Sequence, residues 1–200
     1  MEWVAHAMYY LDTSVLVSYI FVTERRHALA RQFLENLAHK GLKLYISPYT
    51  LVELYNSVCR NIAGGNLKLA DPFNEILNRA GGSLNAKLEL LVSMIVTILV
   101  EMLGLEVVDD HEIYKPAKTL GFELPLLYCK CIELSHRVKI RIKDLLHIVY
   151  AHLLHEKYNI RYIVTCDSKD YSKTKEQLRH LGLEVIIIEE PTSSQTQYNL

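Results

Sequence analysis

Residues Tyr9–Tyr19 read YYLDTSVLVSY. A short apolar run from Ala7 to Leu11 stops at Asp12, Thr13 and Ser14 follow, and apolar positions then recur at helical spacing. The pattern predicts a strand over Ala7–Leu11, a turn, and a short helix over Ser14–Phe21. It sets one carboxylate at the carboxyl end of a buried strand, where open α/β sheets carry their ligand crevices. Asp is also a good helix N-cap, so Asp12 alone reads equally as cap or site.

Working outward, the strand-then-helix alternation repeats. Glu24–Ala38 carries Leu29, Phe33, Leu34 and Leu37 on one stripe, and Gly41 closes it. Leu44–Ile46 is a second strand. Ser47 and Pro48 then start a helix to about Ile62 that carries Glu53 and stops at Gly64-Gly65. The section about 64–103 reads as a helical insertion: a short helix after Asp71-Pro72, then Ala86–Leu103. That last stretch is apolar on nearly all sides except Glu89, Ser93, Thr97 and Glu101, one narrow polar stripe. It suits a core helix, or one covered partly by a second subunit, which makes a homo-oligomer the expected assembly.

Leu105–Val108 is a third strand, and Glu112–Leu120 and Glu123–His136 read as helices. Arg137–Lys143 alternates basic and apolar residues up to Asp144, and an amphipathic helix follows over Leu145–Tyr158. Tyr162–Thr165 is a fourth strand, running into Cys166-Asp167. Ser168–Leu181 is helical, Gly182 caps it, and Val185–Ile188 is a fifth strand. Such alternation predicts an α/β fold with three layers, α/β/α, around a central parallel sheet of four to five strands. Residues 1–190 are expected to form a single domain, and 191–200 a loose polar tail.

Composition narrows the class. Half of the 200 residues are hydrophobic, enough for a real core. A net charge of −1 leaves any nucleic-acid contact to a local basic patch. Cys59, Cys129, Cys131 and Cys166 form no CxxC pair and no disulfide framework. They read as reduced thiols of a cytoplasmic protein. The opening MEWVAHAM lacks the features of a signal peptide. The uncharged run Leu90–Val100 is short of the about 20 residues that span a bilayer, so no membrane partner is expected.

The acids are the informative set. Asp12 ends the first strand and Asp167 the fourth, and in a doubly wound sheet those strands can be neighbours at the switch point. Asp144 opens the helix before the fourth strand, Glu53 lies a turn and a half into the helix after the second, and Asp170 is one turn from Asp167. Each has a plainer reading: Asp144 and Asp170 as N-caps, Glu53 on a solvated helix face. Converging carboxylates repel, and a divalent cation relieves the repulsion. Oxygen donors favour Mg²⁺ or Mn²⁺.

The stretches LDTS with Asp12, SPYTLVELYNSV with Glu53, IRIKDLLHIVYAHL with Asp144, and IVTCDSKDY with Asp167 and Asp170 resemble the PIN domain. That is the ribonuclease domain of toxin–antitoxin toxins and of many RNA-processing nucleases. The resemblance covers most of Ala7–Ile188. It implies a PIN-like nuclease in which Asp12, Glu53 and Asp144 are core ligands of Mg²⁺ or Mn²⁺. By the same resemblance Asp167 would complete the metal site, with Asp170 beside it. Ser14 and Thr165 would be the small polar residues that hold the carboxylates. A water activated by the metal would attack an RNA phosphodiester, leaving a 5′-phosphate and a 3′-hydroxyl. An antitoxin protein is an implied partner. Two departures stand out: Leu145 follows the third acid where the family often has Ala, and the 64–103 section lengthens the chain.

Candidate RNA-binding cations lie beside the acids. Lys139, Arg141 and Lys143 would share one face of an extended segment; Lys169 and Lys173 flank Asp167; Arg60 is two turns beyond Glu53. The plainer reading is a solvated charged edge. Tyr49 and Tyr171 could stack on bases or pack in the core. Of His136, His147, His152 and His155, only His152 and His155 share a helical face. The competing functions are an RNA-binding or assembly module of the same fold with little cleavage, and a phosphotransferase of the haloacid-dehalogenase type. The latter needs a second Asp where this chain has Ser14.

Overall fold

Strand β1 (Met8–Leu11) lies at the centre of the molecule, and its residues alternate between two cores. Tyr10 enters one and Leu11 the other, both fully buried, as the two-residue period of a strand covered on both faces requires. The structure is a computed structural model that describes residues 7–65 and 68–190. The tail expected over 191–200 and most of the opening MEWVAHAM lie outside the described residues.

Around β1 the chain builds β2 (Lys43–Ile46), β3 (Leu105–Val107), β6 (Tyr162–Thr165) and β7 (Glu184–Ile187) into one parallel sheet of order β3-β2-β1-β6-β7. This is the expected α/β/α architecture with five strands. One face is covered by α1 (Thr13–Ile20), α2 (His27–His39), α3 (Pro48–Ala63) and α5 (Leu84–Leu103). The other is covered by α6 (Leu126–Val138), α7 (Ile142–Tyr158) and α8 (Ser168–His180). β2 follows β1 to one side and β6 joins it on the other, so the connections diverge between β1 and β6. That is the switch point at which such sheets open a crevice. Leu11 is in register with Val164, and the Asp12 amide donates to the Val164 carbonyl at 2.9 Å, so the two strand ends are level.

The helix signals in the sequence act as expected. Ser47 caps α3 in a reciprocal capping box with Thr50, with Pro48 following. Gly104 and Gly182 take positive φ after α5 and α8. All four cysteines are free, and burial pushes the Cys131 and Cys166 thiols up to about 11. Among the described residues, no helix is long and apolar enough to cross a membrane.

Three expectations are corrected. Residues 112–120 are not a helix. A 3₁₀ turn over His111–Tyr114 leads into an antiparallel hairpin of β4 (Pro116–Thr119) and β5 (Phe122–Pro125), and α6 starts only at Leu126. Pro116 and Pro125 remove amide donors and break the helical frame, while Leu120 and Gly121 both take positive φ in the turn. The hairpin closes through the Leu126 amide on the Lys115 carbonyl and packs on α6 around Cys129. Secondly, α5 is less buried than its composition suggests. Leu88, Leu91, Ile95 and Leu99 face the core, but Leu90, Met94, Val100 and Met102 are exposed with Glu89, Ser93, Thr97 and Glu101. Helix α4 (Phe73–Arg79) precedes it and packs Phe73 inward. Thirdly, Arg137–Lys143 is not extended. α6 runs to Val138, Lys139 turns the chain at φ 49°, and α7 begins at Ile142. The alternation therefore does not put Lys139, Arg141 and Lys143 on one face.

Candidate functional site

An open cleft of about 740 Å³ lies over the carboxyl ends of β1 and β6. Asp12, Glu53, Asp144 and Asp167 line it. Asp12 is nearly buried and held on both oxygens. Oδ1 accepts the Ser14 amide at 2.8 Å, which makes Asp12 the N-cap of α1. Oδ2 accepts the Tyr171 hydroxyl at 3.1 Å and the Thr165 hydroxyl at 3.3 Å. The cap and site readings are thus compatible in one side chain. Ser14 Oγ lies 3.3 Å from Thr165 Oγ1 and accepts the Cys166 amide at 3.0 Å, which ties the turn after β1 to the end of β6.

Tyr171 is wholly buried, so it is no platform for a base. Burial and then the Asp12 charge push its phenol well above the ordinary value, which keeps the hydroxyl a donor. Tyr49 is half-buried, with its ring 5.0 Å from the His147 imidazole.

Asp144 is the third residue of α7, not its cap; Arg141 holds the cap position. Burial raises the Asp144 carboxyl, and the charges of Asp12 and Asp167 add to this, outweighing the nearby Arg141. Asp167 caps α8, with Oδ1 accepting the amides of Lys169 and Asp170. Carboxylate oxygens of Asp144, Asp167 and Asp170 all lie within 4.8 Å of one another. Asp12 and Glu53 stand outside that trio, each fixed by its own hydrogen bonds.

A guanidinium sits among the three aspartates. Arg141 Nε is 2.9 Å from Asp144 Oδ2 and 2.7 Å from Asp170 Oδ2, and Nη2 is 2.5 Å from Asp167 Oδ2.

Glu53 is not on a solvated face. Its Oε2 accepts the Thr13 hydroxyl at 3.0 Å and lies 2.9 Å from His147 Nε2, and Lys143 Nζ is 3.4 Å from Oε1. Burial pushes the Glu53 carboxyl up, but the His147 contact, with Thr13 and Tyr49, outweighs it and brings the group down to about 2. His147 is fully buried on α7, with Nδ1 2.9 Å from the Tyr10 hydroxyl, which also meets Ser47 and Thr50. Burial lowers its affinity for a proton, but the charges of Asp12, Glu53 and Asp144 and the Glu53 hydrogen bond raise it on balance. The chain therefore holds one buried polar line, Tyr10–His147–Glu53–Thr13, beneath the cleft.

Of the cations expected near the acids, Arg60, Arg141, Lys143 and Lys169 line the cleft, whereas Lys139 and Lys173 do not. Sequence reasoning named His147 among the histidines but gave it no role at the site, and it missed Arg25 and Arg26. His147 follows Asp144 by three residues, one helical face on, and that spacing was the available signal. Arg25 and Arg26 line the cleft from the loop after α1. Arg26 donates to the Cys166 carbonyl and, at 3.1 Å, to Ser168 Oγ. Nothing in a local pattern joins that loop to the end of β6.

The PIN domain family matches residues 9–177, and the chain belongs to that family. Among solved structures, VapBC2 from Rickettsia felis, bound to a DNA fragment from its promoter, is similar in fold. The match has a TM-score of 0.51 at 18% identity and covers 91% of this chain and 99% of that one. Comparison with curated proteins finds no match.

Proposed function

We propose that this chain is a divalent-metal-dependent endoribonuclease, one nuclease domain in which residues 64–103 are a helical insertion. The observation that supports it best is the convergence of Asp12, Glu53, Asp144 and Asp167 on one cleft at the switch point, with Asp170 in the same carboxylate trio as Asp144 and Asp167. The oxygen-only trio suits a hard cation, Mg²⁺ or Mn²⁺. Asp144, Asp167 and Asp170 would hold it, with Asp12 and Glu53 completing the acidic wall. When bound, such a cation lowers the pKa of water and offsets charge on a phosphodiester.

The chain's own residues do the rest. Thr165, Tyr171 and the Ser14 amide fix the Asp12 carboxylate, so its orientation costs little at the moment of reaction. Asp167, with its side chain 28% exposed, is the candidate to take a proton from an incoming water, through Oδ2 once Arg141 moves aside, since Oδ1 is held by the Lys169 and Asp170 amides. Arg25, Arg60 and Lys169 on the cleft wall give an RNA backbone its contacts. The family and the fold likeness to a VapBC complex support a toxin role with an antitoxin protein as partner.

The test is cleavage of single-stranded RNA by the purified protein with Mn²⁺ or Mg²⁺. Cleavage should stop in EDTA and in Asp12→Asn and Asp144→Asn. Activity that survives chelation, or is unchanged in both variants, refutes the nuclease. Binding of RNA without cleavage by the wild type would point instead to a PIN-fold binding module.

A further inference from the structure

We propose that Arg141 is a built-in occupant of the cation position, which a divalent metal must displace before it can bind; this rests on the metal-site reading above. The oxygens that Arg141 contacts belong to Asp144, Asp167 and Asp170, the same trio whose carboxylates come within 4.8 Å of one another. One guanidinium thus bridges the three acids that would otherwise repel. It and a metal ion are alternative answers to one electrostatic problem.

The geometry also makes the exchange feasible. Arg141 stands at the N-cap position of α7, and its side chain makes no capping hydrogen bond. That side chain is 62% exposed, and its ion pairs with the acids run from the surface inward. Released from the acids, it can swing into the cleft it already lines without disturbing the core. There it would meet an RNA phosphate, which a guanidinium binds through a fork of donors. Lys143 differs: its ammonium approaches Glu53 alone, at 3.4 Å, and spans no group of acids.

The experiment compares Mn²⁺ binding, by electron paramagnetic resonance or calorimetry, in the wild type, Arg141→Gln and Lys143→Gln. If Arg141 fills the position about nine-tenths of the time, removing it tightens Mn²⁺ binding about tenfold. Lys143→Gln should change affinity far less. The metal-free Arg141→Gln protein should melt below the wild type, because its acids lose their counter-charge, and saturating Mn²⁺ should close the gap. Arg141→Lys, which keeps the charge without the fork, serves if the Gln variant folds poorly, and should also bind Mn²⁺ more tightly.

Unchanged or weaker binding in the Arg141 variants, with the wild type binding Mn²⁺, overturns the exchange and leaves the metal site standing. Equal tightening in Lys143→Gln overturns it too, since loss of any nearby charge would then suffice. No Mn²⁺ binding by any of the proteins overturns the exchange and the metal site together.

Discussion

The contact between Glu53 and His147 should be worth measurable stability with no metal or RNA present. Glu53 Oε2 lies 2.9 Å from His147 Nε2, His147 is fully buried, and the Glu53 side chain is 16% exposed. A fall of the Glu53 carboxyl from 4.5 to about 2 corresponds to about 3 kcal/mol at ~1.4 kcal/mol per pH unit. His147 supplies the largest of the favourable causes and Thr13 and Tyr49 the rest, so its share, after screening at the wet edge of the cleft, is roughly 1.5–2 kcal/mol. The assay is a double-mutant cycle of Glu53→Gln, His147→Leu and the double variant, read by urea unfolding in EDTA. Depressed in the folded state, Glu53 contributes fully above 4.5, and its contribution is lost as pH falls towards about 2. Raised in the folded state, His147 contributes fully below 6.5, and its share is lost as pH rises through its folded value. The coupling should therefore peak between about 4.5 and 6.5 and shrink on either side. A coupling below ~0.5 kcal/mol at pH 5.5 is within the error of independent sites and would refute the reasoning.

Three other outcomes follow from single residues. Asp144→Asn should melt above the wild type in EDTA at neutral pH, because folding raises the Asp144 carboxyl and so disfavours its charge; a lower melting temperature contradicts this. Gly182→Ala should cost ~1–3 kcal/mol, since Gly182 has φ +77° and a Cβ there runs into the His155 imidazole. A melting temperature within about 1 °C of wild type would show that the loop after α8 gives way. Leu120→Asn should stabilise the hairpin by ~0.5–1 kcal/mol, because Leu120 is 77% exposed and holds φ 49°, which Asn tolerates better; destabilisation would mean that the Leu120 side chain has a partner in solution.

Much of the fold was readable because short apolar runs and helical stripes are local signals. Ala7–Leu11, Leu44–Ile46 and Tyr162–Thr165 are bounded by Asp, Pro or Gly, and their ends fall within a residue or two of the observed strands. The hairpin was not readable, because Glu112–Leu120 has helical composition and only the prolines and Gly121 speak against it. Tyr171 looked equally suited to stacking and to packing. Its burial and its bond to Asp12 come from the seating of α8 on the sheet.

The sequence alone determined that acids stand at the ends of two apolar strands, since a strand's period and a carboxylate's need for water are properties of neighbours along the chain. It could not determine what those acids would meet. β1 and β6 are more than a hundred residues apart in sequence, and only their pairing sets Asp12 level with Thr165. The left-handed turn at Lys139 and the start of α7 at Ile142 then decide where each cation of the basic run goes. Arg141 goes among Asp144, Asp167 and Asp170, Lys143 to Glu53, and Lys139 away from the cleft. A charge written in the sequence has a sign but no partner, because Coulomb energy depends on distance and burial, and both are set by packing.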